Sequence, residues 1–471
     1  MFESLAPGWW QGRLGTLPVA MSLAMFLMVG AWAPPAFSQE EPPPDAEVVP
    51  EEEEVRSEEL EQKQQLTDTS FYDPVALETL ENNFPTLFSN SPGFRNLQQI
   101  LQMARGSGAV NPTIIDRFIE SAAKDLTLRD NIQAIIDRDA VPDVRRVKEF
   151  EKAATDLIEP LLIPTDRMNP NFRRTYSAKL LQVLPDLLEN HLFARTQAMI
   201  VLNRLQDPAA LDLLVQTLSD EDQPIAVRLL AASGITQITR SGQQLGVNET
   251  VRAARALVDF LENNPDTFWL ARVRALEALG ALRQVADIQN RNEARMATAA
   301  FAVLVDPEER LETRAWAFWA LGMLEVPSGF PQINYGLIAY QAGRLASRLG
   351  HEIIDAELPQ AQYLTGLLVF QISQGLNGDP QDRSVGLVNS RQIGPHSEFV
   401  NQVNRLVRQV GANAVRLSNA RGTQVPPARQ ALQKSLAELD SYLDRNRPQD
   451  RTLVPGGPSF EPATAQVAAE R

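Results

Sequence analysis

The chain has 471 residues, 44% of them apolar, enough to bury several cores or one extended array without disulfide or metal staples. Cysteine is absent, which excludes disulfides, thiolate nucleophiles and cysteine-based zinc or iron–sulfur sites. The formal charge is −15, yet eleven acids against the single base Arg56 fall between Glu40 and Glu61, so most of the excess is local and no basic face advertises nucleic-acid binding.

In chain order, residues 1–38 read as an export signal. The apolar run Leu17 to Ala33 follows Arg13, and Ala36 and Ser38 stand at the −3 and −1 positions of a peptidase site before Gln39. The alternative is an uncleaved membrane anchor over residues 17–33, somewhat short for a spanning helix of about 20 residues. Membrane contact is expected only in that case. Without a cysteine after the run, a lipoprotein anchor is excluded. Residues 39–70, rich in Pro and Glu, are too polar to offset their ordering entropy and read as a disordered acidic linker.

From Phe71 the pattern is helical. Asn111 followed by Pro112 is a helix start, with Ile114, Ile115, Phe118, Ile119 and Ala122 at helical spacing behind it. Further amphipathic runs follow, stopped or kinked at Pro160 and Pro185. Alternation of period two is not evident, so the fold class is all-α, with an N-terminal helical region over 71–188.

Four twelve-residue lines then align without a gap, beginning at Ala194, Val227, Ala271 and Thr313. Their second position is always Arg (Arg195, Arg228, Arg272, Arg314), at intervals of 33, 44 and 42 residues. The fifth is always Ala (Ala198, Ala231, Ala275, Ala317), the ninth is Leu202, Ile235, Leu279 and Leu321, and the twelfth is Leu205, Ile238, Leu282 and Leu324. Positions five, nine and twelve form one helical stripe, and an unvarying Ala within it lets a neighbouring helix come close. Each line is therefore the inner helix of a pair whose other helix lies in the intervening segment. Asp220, Asp222, Asp266 and Asp306 precede the next Arg by six or eight residues, which predicts an Arg–Asp structural bracket at each turn.

Over about Glu189 to Val326 the chain resembles HEAT repeats, including the HEAT-like repeats called after phycobilisome lyases, whose second helix carries a Val-Arg-x-x-Ala-x-x-Ala-Leu-Gly type of signature after an Asp-bearing turn. Asn203 and Thr236 depart from it where Gly280 and Gly322 conform, and Thr313 stands for the Val. The resemblance implies an α-solenoid over 189–326, a fold that usually holds partners. It also extends to lyase-associated members, so it leaves function open. Residues 327–447 read as divergent repeats or a cap, and 448–471 as a flexible tail.

Chemistry-bearing residues are sparse. His351 and Asp355 share a helical face beside Glu352, but no third ligand can be named and no metal site is assigned. His191 is expected to meet the C-terminal charge of a helix, and His396 stands at a helix start without a catalytic partner. No nucleophile elbow, phosphate loop or dinucleotide fingerprint is present, so neither catalysis nor a cofactor is expected.

The aromatic signal is sharper. Positions four, seven and eleven form a second stripe: Gln197, Ile200 and Arg204; Leu230, Ser233 and Gln237; Arg274, Glu277 and Ala281; then Trp316, Trp319 and Met323. The polar versions predict a stripe at least partly open to solvent, so the apolar version needs cover. Two covers are open: the C-terminal helices, the commoner fate of Trp, or a protein or peptide partner contacting Trp316, Trp319, Met323, Arg274 and Glu277. The functional expectation is a non-catalytic scaffold of the envelope or secreted space. A self-associating structural element is the alternative, and a lyase-type enzyme a third reading.

Overall fold

The computed structural model describes residues 84–460, apart from 92–94, 107–108, 137–142, 287–292, 328–329, 331 and 379–385. The expected signal (1–38), the acidic linker (39–70) and the last residues of the tail (461–471) lie outside the described residues.

The chain is all-α, and among the described residues the one β feature is an isolated bridge between Thr452 and Ser459. Helices α1 (Leu97–Arg105), α2 (Pro112–Thr127), α3 (Arg129–Ile136), α4 (Val144–Ile158) and α5 (Pro170–Leu188) come first. Asn-Pro pairs start two of them. Asn111 caps the Thr113 and Ile114 amides and Asn169 those of Asn171 and Phe172, each with Pro at the first helical position, where its missing N–H costs nothing. Pro160 opens a 3-10 turn after α4, whereas α5 runs through Pro185 to Leu188. Under these helices Arg95 donates from Nε to Asp156 Oδ2 at 2.9 Å and also bonds Asp125, a buried Asp–Arg–Asp bridge.

The repeat region is α6 (Leu192–Leu205), α7 (Leu211–Ser219), α8 (Ile225–Arg240), α9 (Val247–Asn263), α10 (Trp269–Leu282), α11 (Arg295–Val305) and α12 (Leu311–Met323). The four aligned lines are α6, α8, α10 and α12. They pack successively side by side, and α7, α9 and α11 make a second row, each helix of which also packs on the next member of the first. The Ala column is buried throughout, at no more than 1% exposed, and Leu202, Ile235 and Leu279 are fully buried, each worth about 1.5–3 kcal/mol over exposure.

Next come α13 (Tyr335–Asp355), α14 (Leu358–Leu367), one π-helical turn (Leu368–Ile372), α15 (Ser373–Asn377), α16 (Ser397–Asn419) and α17 (Val425–Arg445). Helices α13, α16 and α17 pack on one another, while α15 packs on α12. That last approach is glycine to glycine: a Cβ at Gly322 would stand 2.1 Å from the Gly375 carbonyl oxygen. Residues 450–460 differ from the expected tail. Asn334 N donates to Leu453 O at 2.8 Å, Leu453 and Val454 are buried, and Phe460 sets its ring edgewise on Phe301 at 4.8 Å. The apolar residues of this short segment have a face of the body to cover, and that holds it down.

Candidate partner-binding surface

The Arg column occupies the seam between successive pairs. Each of Arg228, Arg272 and Arg314 bonds a carbonyl in the last turn of the helix preceding its own: Arg228 Nε to Leu218 O at 2.9 Å, Arg272 Nη1 to Leu261 O at 3.0 Å, Arg314 Nε to Leu304 O at 2.9 Å. These carbonyls lack intrahelical donors, and a guanidinium there also meets the negative end of the helix dipole. Arg195 does the same for the Asn190 carbonyl after α5.

A second arm reaches forward. Arg195 Nη1 meets Gln223 Oε1 at 3.1 Å, Arg228 Nη1 meets Asn264 Oδ1 at 3.3 Å, and Arg272 Nε meets Glu309 Oε2 at 2.7 Å, each acceptor lying in the turn of the following pair. The predicted Arg–Asp bracket is thus corrected. Among the described residues none of the turn aspartates bonds an Arg of the column; Asp220 and Asp306 fold back on the amides of Asp222 and Glu308 at 3.0 Å, and Asp266 is exposed. A short Asp side chain satisfies the amide two residues on before it can reach a guanidinium. Burial holds Arg195, Arg228 and Arg314 below the ordinary Arg range. Arg314 is held at about 10, first by desolvation and then by the like charge of Arg348, with Asp306 and Glu309 opposing.

The second stripe is more covered than its polar residues predict. Gln197, Ile200, Leu230 and Glu277 are all under a tenth exposed, while Arg204, Ser233, Gln237, Arg274 and Ala281 are half-buried. The stripe lies in the seams between neighbouring inner helices, where polar residues pair instead of facing water. Glu277 accepts from Arg240 of the preceding inner helix, α8, at 2.8 Å and from Arg274 at 2.6 Å.

In α12 the same seam is aromatic. Trp319 and Met323 are each 3% exposed, so neither is an open surface, and Trp316 is half-buried. Trp319 lies across Gly280 of α10, where a Cβ would come 2.5 Å from its Cζ3, and its Nε1 donates to Gln374 Oε1 of α15 at 3.3 Å. The cover of Trp319 is intramolecular, from the preceding inner helix and from the C-terminal region. Trp316 meets it edge to face at 5.2 Å and is the member of the pair nearer solvent, as Arg274 is beside Glu277.

The histidines fall elsewhere. His191 is fully buried and caps the start of α6 rather than the end of a helix, its Nδ1 accepting from Phe193 N at 3.2 Å between the rings of Phe84 and Phe193. Burial and then the Arg195 charge lower it to about 4. The hydrogen-bond partner of His351 is Asp440 of α17, whose Oδ2 lies 3.2 Å from its Nε2, while the Ser347 hydroxyl donates to Asp440 Oδ1 at 2.6 Å. His396 ends a 3-10 turn with its ring over Gly336. Among the described residues no group of three or more His, Asp or Glu could hold a metal ion, and no helix is long and apolar enough to cross a membrane.

No known protein family, curated protein or solved structure matches the chain.

Proposed function

We propose that the chain is an α-solenoid of HEAT-like helix pairs and serves as a non-catalytic scaffold, presenting its row of inner helices to a protein or peptide partner in the cell envelope or secreted space. What supports this reading is the forward reach of the Arg column. A pair that carries a donor for its successor and an acceptor for its predecessor is a unit that repeats by nearest-neighbour contacts. Such arrays gain extended surface with each unit, and their usual work is to hold another chain. The acidic residues between Glu40 and Glu61 would then space the array from its point of export or anchoring.

The contact surface is proposed at the edge of the aromatic seam. There half-buried Trp316 and Arg274 are within reach of a partner, while Trp319, Met323 and Glu277 support them from below. The test uses the full-length chain as bait in an envelope extract. One partner recovered at fixed stoichiometry and lost on Trp316→Ala, with the helical content of the variant retained, is the expected result. Recovery of the chain alone would favour a self-associating structural element, and turnover of a small molecule would overturn both readings.

A further inference from the structure

We propose that the exposed face of the α16–α17 hairpin is a docking surface for an acidic peptide segment, and that its occupant is the chain's own run Glu40 to Glu61. The inference stands apart from the partner contact at the aromatic seam and does not depend on it.

Residues 399–437 carry six cations, Arg405, Arg408, Arg416, Arg421, Arg429 and Lys434, and no Asp or Glu, in a chain of net charge −15. All six are exposed. On α16 the exposed positions 405, 408, 412, 415, 416 and 419 recur at helical spacing, so Arg405, Arg408 and Arg416 share one stripe. Two bonds set α17 antiparallel beside that stripe: Gln409 Nε2 donates to Glu438 Oε2 at 3.2 Å, and Asn413 Nδ2 to the Ala431 carbonyl at 3.3 Å. Lys434 falls between these two contacts on α17, and Arg408 and Arg416 straddle them on α16.

The acids further along the hairpin are used within the fold. Asp440 pairs with His351 at 3.2 Å, and Asp444 pairs with Arg344 and, at 3.2 Å, with Arg447. The six cations are not used in this way. Arg405 donates to the neutral Gln402, Arg421 to the carbonyls of Ser418 and Ala420, and the other four bond nothing among the described residues. A cluster of unpaired cations on one face attracts an anionic chain, and the attraction falls with salt.

The run Glu40 to Glu61 answers this face in charge and in length. It sets eleven acids against Arg56, and Val48, Val49, Val55 and Leu60 lie among them, while the α16 stripe exposes Val415, at 39%, beside Arg416. The 22 residues between Glu61 and Phe84 can span at most about 75 Å, at about 3.3–3.6 Å each. A segment tethered in this way meets its own body at an effective concentration of about millimolar, an advantage that a free polyanion lacks. The acidic run is thus a strap held by the hairpin, and it acts as a free spacer once salt or a competing polyanion releases it.

The chain lacks cysteine, so a fluorophore pair can be placed at Ser57→Cys and Gln430→Cys of the full-length protein. Energy transfer is expected to be high at 0.1 M salt and lost at 1 M, where the Debye length falls from about 10 Å to about 3 Å. Combining Arg408→Gln, Arg416→Gln and Lys434→Gln should give the same loss at 0.1 M. Combining Lys148→Gln, Lys152→Gln and Arg167→Gln, also exposed and removing the same charge, should leave transfer at the wild-type value. Transfer that survives 1 M salt or the hairpin triple variant, or that falls equally in the control triple, would overturn the docking. Transfer found only between donor-labelled and acceptor-labelled copies in a mixture would overturn its assignment to the same chain. Low transfer at every salt would overturn it as well, and co-sedimentation with phosphatidylglycerol vesicles that the hairpin triple abolishes would then assign the face to a lipid surface.

Discussion

Arg272 Nε and Glu309 Oε2 meet at 2.7 Å across 37 residues of sequence, and both side chains are less than a tenth exposed. Removing one member of such a pair strands the other as a buried charge. Arg272→Ala also frees the Leu261 and Asn264 carbonyls, so it should cost about 3–5 kcal/mol in urea unfolding. Glu309→Gln keeps an oxygen acceptor and should cost about 1–2 kcal/mol. If the two variants unfold at the same urea concentration, the charge of the pair carries no weight in the seam.

Gly322 and Gly375 set how closely α15 approaches α12. A Cβ at Gly322 would meet backbone, 2.1 Å from the Gly375 carbonyl oxygen and 2.5 Å from its Cα, and backbone cannot turn aside as a flexible side chain can. Gly322→Ala should destabilise by about 3 kcal/mol or more, with the C-terminal helices losing hydrogen-exchange protection first. Gly366→Ala in α14 meets nothing within 4 Å and should stabilise by about 0.5–1 kcal/mol through helix propensity. A neutral Gly322→Ala would show that the C-terminal helices do not depend on this contact.

The contrast between these seams explains what the sequence makes legible. Ala198, Ala231, Ala275 and Ala317 recur because every inner helix must approach its neighbour at the same point, and a steric requirement of that kind admits one residue type. The forward acceptors recur in role but not in letter. Gln, Asn and Glu all offer an sp² oxygen, and they stand 28, 36 and 37 residues after their Arg, so no column or fixed spacing betrays them. The cover of Trp319 was hidden for a related reason. Gln374 lies 55 residues downstream in a helix without the repeat columns, and its neighbour Gly375 has meaning only once Gly322 is known to face it.

The two tryptophans should separate in stability. Trp319→Ala removes a 3% exposed side chain between α10 and α15, along with its bond to Gln374, and should cost about 3–5 kcal/mol. Trp316→Ala, at the half-buried edge, should cost clearly less and leave hydrogen exchange in α15 unchanged. Equal losses by chemical denaturation would mean that Trp316 is as much a part of the core as its neighbour.

His191 and His351 should give pH dependence of opposite sign. His191 is held at about 4, below its unfolded value of about 6.5, so the unfolded chain binds the extra proton between those limits. Its contribution is complete above pH 6.5 and falls by about 2–3 kcal/mol as pH drops towards 4. His191→Asn keeps a side-chain cap for Phe193 N without a titrating ring, so Tm against pH should be flatter in that window than for wild type. The Asp440 hydrogen bond raises His351, whose contribution is therefore present below about pH 6.5 and lost as pH rises through its folded value. With its side chain 59% exposed, that contribution is about 0.5 kcal/mol or less, so His351→Ala should change the profile slightly and on the alkaline side. A wild-type profile that His191→Asn leaves unchanged would show that the His191 ring does not set the acid limit of stability.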